Sequence, residues 1–218
     1  MNIVVIPAYN EEKKIGRTLS GLLKLDCIDK IVVVDDSSID NTIGEAKKYG
    51  VMVLKHSVNR GQGAALQTGH EYAVFSRADV VIDFDADDQN NAQDICRALE
   101  VLQKEKLDIL FGSRFLDNRS QIPWSKKHII LPVSRVINYI FTGVKLTDAH
   151  NGFRVMGKKA LEKICISQDR MAHNTEILQQ TKKFGLSFKE IPVEVKYHRF
   201  GQGIKGGMEI IKDLLIKR

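Results

Sequence analysis

A chain of 218 residues makes one large domain or two small ones, and an apolar share of 43% is enough for a real core. A net charge of +6 suits an anionic partner, either a nucleoside diphosphate or an anionic lipid surface. Scattered basic residues and only 7% aromatic residues argue against nucleic acid, and no apolar run approaches the ~20 residues of a membrane span.

Asn2 to Ile6 reads as a short apolar strand that ends at Pro7, with Asn10 placed to cap a helix carrying Ile15, Leu19, Leu22 and Leu23 on one face. Lys30 to Val34 is a second strand. Asp40 or Ser38 caps the next helix, which stops at Gly50. Val51 to Leu54 is a third strand, and Gly61-Gln62-Gly63 opens a helix reaching about Ser76. Val80 to Ile82 is a buried strand, followed by a helix from about Ala92 to Lys104. Asp108 to Gly112 is a fifth strand. Ile129 to Phe141 predicts a helix bent near Pro132, Asn151 to Met156 a turn into a strand, and Lys158–Ile164 and Asn174–Phe184 two helices. Phe188 to Tyr197 is a strand that Pro192 confines to an edge or bulge. A glycine-rich tail and a helix with Met208, Ile211, Leu214 and Leu215 on one face close the chain, which shows no internal repeat and reads as a single domain.

Strands alternating with helices predict an α/β fold with a mostly parallel sheet covered on both faces. Such sheets bind ligands beyond the carboxyl ends of their strands. The polar clusters Tyr9–Glu11, Asp35–Asp36, Asp85–Gln89 and Arg114 all follow strand ends, so the fold should gather them along one edge.

The densest cluster is Asp83-Phe84-Asp85-Ala86-Asp87-Asp88-Gln89. In an extended chain Asp83, Asp85 and Asp87 share a face, and three crowded carboxylates repel. A hard divalent cation, Mg²⁺ or Mn²⁺, relieves that repulsion and takes Asp and Gln oxygens. The alternative is an acidic strand end facing water. An EF-hand starting at Asp85 fails, because Asn90 stands where Gly is required and Cys96 where Glu is required. An Asp-x-Asp phosphatase would place its motif after the first strand rather than the fourth. A dinucleotide fingerprint fails at Leu66. A nucleotidyltransferase loop needs a glycine that Pro7 to Glu12 lacks. Cys27, Cys96 and Cys165 are far apart, show no metal spacing or disulfide framework, and read as reduced core thiols in a cytosolic setting. The first residues read as a strand rather than a signal peptide.

The chain resembles the family 2 glycosyltransferases of GT-A fold. The resemblance rests on Ile3-Val4-Val5-Ile6-Pro7-Ala8-Tyr9-Asn10-Glu11, Val34-Asp35-Asp36-Ser37-Ser38-Ile39-Asp40, Asn59-Arg60-Gly61, Asp85-Ala86-Asp87, Gly112-Ser113-Arg114 and Gly152-Phe153-Arg154. It is nearest the dolichyl-phosphate mannosyltransferase and polyprenyl-phosphate glycosyltransferase branch, from which it departs at Asp88 and in the glycine-rich tail. The resemblance implies that Pro7, Tyr9, Glu11, Val34, Asp36 and Ala86 line the nucleotide-sugar pocket, with Asp36 accepting from the base. It implies that Asp85, Asp87 and Gln89 hold Mg²⁺ or Mn²⁺ against the diphosphate, and that Arg114 faces the diphosphate or sugar. A hexose would pass with inversion to a lipid-linked or saccharide acceptor. Arg199 and Lys205 are candidates to close over the donor, and Glu176 is a candidate base for a hydroxyl acceptor. Trp124, Lys126, Lys127 and His128, together with the closing helix, suit peripheral contact with an anionic membrane. A protein that binds a nucleotide sugar without transferring it is the reading from another class.

Overall fold

A computed structural model describes residues 1–117, 119–120, 139, 142–149 and 151–196. Strands β1 (Asn2–Ala8), β2 (Lys30–Asp35), β3 (Met52–Lys55), β4 (Val80–Asp83), β5 (Ile109–Ser113), β6 (Arg154–Gly157) and β7 (Phe188–Pro192) form one sheet in the order β3-β2-β1-β4-β6-β5-β7. Helices α1 (Ile15–Leu22), α2 (Thr42–Lys47), α3 (Gln62–Phe75) and α4 (Asp94–Lys104) alternate with β1 to β5, and α5 (Lys158–Lys163) and α6 (His173–Lys183) both lie between β6 and β7. β6 alone runs antiparallel, wedged between β4 and β5. β7 sits at the edge with Pro192 as its last residue, as its sequence requires.

Period-two alternation builds two apolar layers. Val4 and Ile6 of β1, with Val33 and Ile82, pack on one side against Ile15, Leu19 and Leu22 of α1 and Ile95, Leu99 and Leu102 of α4. Ile3, Val5, Val32 and Val81 face the other way, onto Ala65 and Leu66 of α3, Leu161 of α5 and Ile177 and Leu178 of α6. Each fully buried Leu or Ile contributes about 1.5–3 kcal/mol. Val34 belongs to this second layer and is fully buried. Its side chain therefore packs the core instead of shaping the nucleotide pocket.

Two local expectations need correction. Asn10 caps no helix: it sits at φ 56° and its Oδ1 accepts from Ile39 N at 2.9 Å. Cys27 and Cys96 are joined in a disulfide with Cα atoms 5.9 Å apart. Cys27 follows α1 and Cys96 lies in α4, and both helices cover the same face of the sheet, so the fold closes a gap of 69 residues that spacing alone cannot reveal. Cys165 is exposed, not in the core. The case for a reducing compartment, made from cysteine usage, goes with those thiols.

Candidate active site

Strand order reverses between β1 and β4: the chain builds β2 and β3 to one side of β1, then crosses to its other side. In open α/β sheets a ligand crevice forms at that reversal. β1 pairs with β4 only as far as Val5↔Asp83, whereas it pairs with β2 through Ala8↔Asp35. Val5 O accepts from Phe84 N on the β4 side and Ala8 O from Asp36 N on the β2 side. By alternation Pro7 faces β4, past the last β4 pair, where its missing N–H breaks no ladder. The two strands part there. Tyr9 and Glu11 leave one lip, and Asp85 and Asp87 leave the other.

The loops after β1 and β2 are laced together. Asn10 N donates to Ser38 Oγ (2.9 Å), Glu11 N to Thr42 Oγ1 (2.8 Å), Glu12 N to Asp40 Oδ2 (3.1 Å) and Asn41 N to Glu12 Oε2 (3.2 Å). Asp40 also accepts from Thr42 N at 3.0 Å, so it, rather than Ser38, stabilises the start of α2. Tyr9 stays 47% exposed above this lattice, open to stack on a flat ring.

Asp36 is placed differently from expectation. Its carboxylate is buried and accepts from Arg60 N (2.9 Å), Gly61 N (2.6 Å) and the His56 ring (Nδ1, 2.7 Å). It anchors the 56–61 loop, and three donors already engage its oxygens. The neighbouring Asp35, to which the sequence reading gave no role, is fully buried. Its Oδ2 accepts from Ser38 N, while Oδ1 has no hydrogen-bond partner among the described residues. A buried carboxylate oxygen without a donor is costly, and this one lies at the carboxyl end of β2 beside the crevice.

On the far lip, β4 ends at Asp83, so the three acids do not share one face. Asp83 is buried against His70 Nε2 (2.7 Å) and Arg154 Nη1 (3.5 Å). Burial works against its ionisation, but the His70 ring and the Arg154 guanidinium outweigh it and hold its carboxyl low. Arg154, itself buried, is further held by Asn151 O and Asn174 Oδ1. Asp83 is thus neutralised and leaves the cation set.

Asp85 and Asp87 remain. Asp85 accepts one amide hydrogen bond on each oxygen, from Gln62 Nε2 (2.9 Å) and Asn90 Nδ2 (3.3 Å). Burial pushes its carboxyl up. Asp87 is pushed up to about 6, first by burial, then by the charges of Asp85 and Glu11. Two half-buried carboxylates that resist ionising together are a fit for a hard cation, which would remove both penalties. No cluster of three or more His, Cys, Asp or Glu side chains suited to a metal occurs among the described residues. A two-carboxylate site that leaves positions for phosphate oxygens and water fits Mg²⁺ or Mn²⁺ better than a closed protein cage. Gln89 adjoins the pair and its N–H donates to Asp87 Oδ1 at 3.1 Å. Ala86 is buried and its carbonyl accepts from Thr18 Oγ1. Asp88, the departure from the family pattern, pairs with Arg17 on α1 at 2.6 Å.

Two expected groups are engaged elsewhere. Arg114 forms a fork with the buried Asp148, Nε at 2.7 Å and Nη2 at 2.8 Å, and its guanidinium lies 5.5 Å from the Phe115 ring. Asp148 itself is held by Glu190, which accepts from its N–H. Glu176 accepts from Ser167 N (3.0 Å), Gln168 N (2.9 Å) and the Ser167 hydroxyl, so it fastens the 167–168 turn. Arg199, Lys205, Trp124, Lys126, Lys127, His128, the expected tail helix and, apart from Tyr139, the expected helix at 129–141 lie outside the described residues. Among the described residues no helix is long and apolar enough to cross a membrane.

The chain is similar to known proteins. Residues 3–165 match the family described as Glycosyl transferase family 2. A Methanococcus voltae protein, UDP-N-acetylglucosamine--dolichyl-phosphate N-acetylglucosaminyltransferase, is 30% identical over 98% of this chain and 94% of its own. The undecaprenyl-phosphate mannosyltransferase of Micrococcus luteus is 25% identical over 94% of this chain and 87% of its own. The crystal structure of glucosyl-3-phosphoglycerate synthase from Mycobacterium tuberculosis, with Mn²⁺, UDP and glucosyl-3-phosphoglycerate, superposes at a TM-score of 0.76 with 18% identity. It covers 99% of this chain and 78% of the synthase. The chain belongs to glycosyltransferase family 2, with the GT-A α/β fold, and is a glycosyltransferase.

Proposed function

We propose that the protein moves a hexose, with inversion, from a nucleoside-diphosphate sugar to a polyprenyl-phosphate-type acceptor, with Asp85, Asp87 and Gln89 holding Mg²⁺ or Mn²⁺. The observation that carries this reading is the Asp85/Asp87 pair, both raised in pKa by burial and Asp87 further by the Asp85 charge, opposite Tyr9 and Glu11 across the β1/β4 crevice. A bound cation supplies charge neutralisation for the departing nucleoside diphosphate. Asp85 and Asp87 fix where that neutralisation occurs. Tyr9 stacks on the base, and Asp35 Oδ1 takes a ring N–H from it, which gives a partner to the orphaned oxygen.

The acceptor class follows from two supports. Relatives of this chain are named as transferases to dolichyl and undecaprenyl phosphate. The expected base, Glu176, is spent on a turn. A phosphate oxygen is already anionic at neutral pH and needs no base, unlike a hydroxyl. Arg199 and Lys205 remain candidates to close over the donor, and contact with an anionic membrane fits a lipid acceptor.

The test is a transfer assay over UDP- and GDP-sugars with a polyprenyl phosphate and with the matching free polyprenol. Transfer to the phosphate alone, lost with EDTA and restored by Mn²⁺, is the expected result. Equal transfer to the free alcohol overturns the acceptor reading, and full turnover in EDTA overturns the metal reading.

A further inference from the structure

The loop anchored by Asp36 ends in contact with the cation-side carboxylate. Arg60 N and Gly61 N donate to Asp36, and the next residue, Gln62, sends its amide Nε2 to Asp85 Oδ1 at 2.9 Å. Gly61 takes φ 106°, a conformation side chains disfavour, and an added Cβ there would meet Asp169 O at 2.5 Å. The chain therefore turns sharply at one defined place, and Gln62 begins α3 facing Asp85.

On the other side, the backbone at Gly152 presses against the same carboxylate. A Cβ at Gly152 would lie 2.5 Å from Asp85 Oδ2 and 2.8 Å from Oδ1. Its φ is outside the left-handed range, so the missing side chain answers a need for space. Gly152 is held two residues before Arg154, whose guanidinium is locked onto Asp83, Asn151 O and Asn174. Asp85 is thus seated between two amide donors, Gln62 delivered from the β2 end of the sheet and Asn90 from its own loop, and a bare backbone delivered by β6.

We infer that Gln62 is a positioning residue for Asp85, and that Gly152 provides the space in which Gln62 holds it. The loop 59–62 then carries the state of the β2 end, where the base is placed, to the carboxylate that meets the cation. Outer-shell partners of this kind are worth roughly 10–100-fold in metal affinity. This inference rests on the metal reading above.

The experiment measures Mn²⁺ affinity by electron paramagnetic resonance at saturating UDP. It compares wild type, Gln62→Leu, Gly152→Ala, Asp85→Asn and the double variants Gln62→Leu/Asp85→Asn and Gly152→Ala/Asp85→Asn. Thermal midpoints without metal confirm folding. Gln62→Leu and Gly152→Ala are each expected to weaken Mn²⁺ about tenfold, and to add nothing once Asp85 has become Asn. Gln62→Glu, which sets a like charge against Asp85, is expected to weaken the metal-free fold and to recover it on Mn²⁺ addition. If Asp85→Asn weakens Mn²⁺ while Gln62→Leu stays within about twofold, the positioning role is wrong and the metal site stands. If Asp85→Asn leaves Mn²⁺ binding unchanged, the metal reading falls and takes this inference with it.

Discussion

The acids after β2 and the acids after β4 look alike in sequence and are used in opposite ways. Asp36 and Asp40 spend their oxygens on backbone N–H groups of loops that must hold a shape. Asp85 and Asp87 receive few donors, lie close together, and are pushed toward the neutral form. A carboxylate saturated by backbone donors is part of the scaffold. One left half-buried beside another carboxylate is a receptor for positive charge. Asp83 stands between these cases, since its counter-charge comes from Arg154 and a hydrogen bond from the His70 ring, both inside the protein.

The sharpest way to break this contrast is to remove one acid of each kind. Asp87→Ala is expected to cut transfer by about 10³-fold or more, the scale of losing a main electrostatic support for the leaving group. The same change should leave metal-free stability unchanged or raise it by about 1 kcal/mol, because it deletes a charge the fold resists. Asp36→Ala should do the reverse in stability. It strands Arg60 N and Gly61 N and should cost about 3 kcal/mol in urea unfolding. If Asp36→Ala is neutral to stability and Asp87→Ala unfolds the protein, the division drawn here is inverted.

Cys27–Cys96 gives a second comparison, between the α1/α4 face, which it ties, and the α3/α6 face, which has no such link among the described residues. A loop of 69 residues closed by a disulfide corresponds to about 4 kcal/mol in the chain-entropy account. The Cys27→Ser/Cys96→Ser variant should lose between about 2 and 4 kcal/mol on denaturant unfolding. A loss that small variants of α4 packing reproduce, with no change on adding reductant to wild type, would show that the pair is not bonded in solution.

Local pattern explains why much of this molecule can be read without coordinates. Alternating Ile3-Val4-Val5-Ile6 announces a strand buried on both faces, and Ile95, Leu99 and Leu102 announce one face of a helix. The rule that ligands gather beyond strand ends predicts a common edge for Tyr9, Glu11, Asp85 and Asp87, and in the fold the charges of Glu11 and Asp85 both act on Asp87. What stayed hidden depends on partners distant in the chain. Arg114 meets Asp148 across 34 residues, Asp36 meets Gly61 across 25, and Cys27 meets Cys96 across 69. The reversed direction of β6 sets Arg154 opposite Asp83, and no local periodicity distinguishes a parallel from an antiparallel strand in a buried sheet. The family resemblance implies a pocket role for Val34, whereas strand alternation turns its side chain to the core. The one signal that was present and unused is Asp35. Two adjacent acids at a strand end cannot both face one way, so the second one bonding a loop implies a separate task for the first.

The smallest expected effect is a near-flat stability profile in mild acid, and it hides two opposed slopes. His173 is buried and pushed down to about 4, first by burial and then by the Arg154 charge, while its Nδ1–H donates to Arg170 O. Its unfolded form binds a proton near pH 6.5 that the folded form refuses, so this group's contribution to stability is lost as pH falls from about 6.5 to 4. Asp87 acts with the opposite sign. Its folded form keeps a proton up to about 6 that the unfolded carboxyl releases near 3.9, so stability falls as pH rises through that window. Asp85, raised for similar reasons, adds to Asp87, and Asp83, lowered, acts only below the window. Between about pH 4 and 6 the terms offset, each amounting to about 2 kcal/mol before screening. Urea unfolding of metal-free protein should therefore show, across that range in wild type, only the shallow decline with rising pH that Asp85 adds. His173→Gln should uncover a decline in stability as pH rises, and Asp87→Asn a gain. Mn²⁺ with UDP should abolish the His173→Gln slope, because a bound cation removes the reason for Asp87 to hold its proton. A slope of the same sign in both variants would show that neither group titrates as its surroundings dictate.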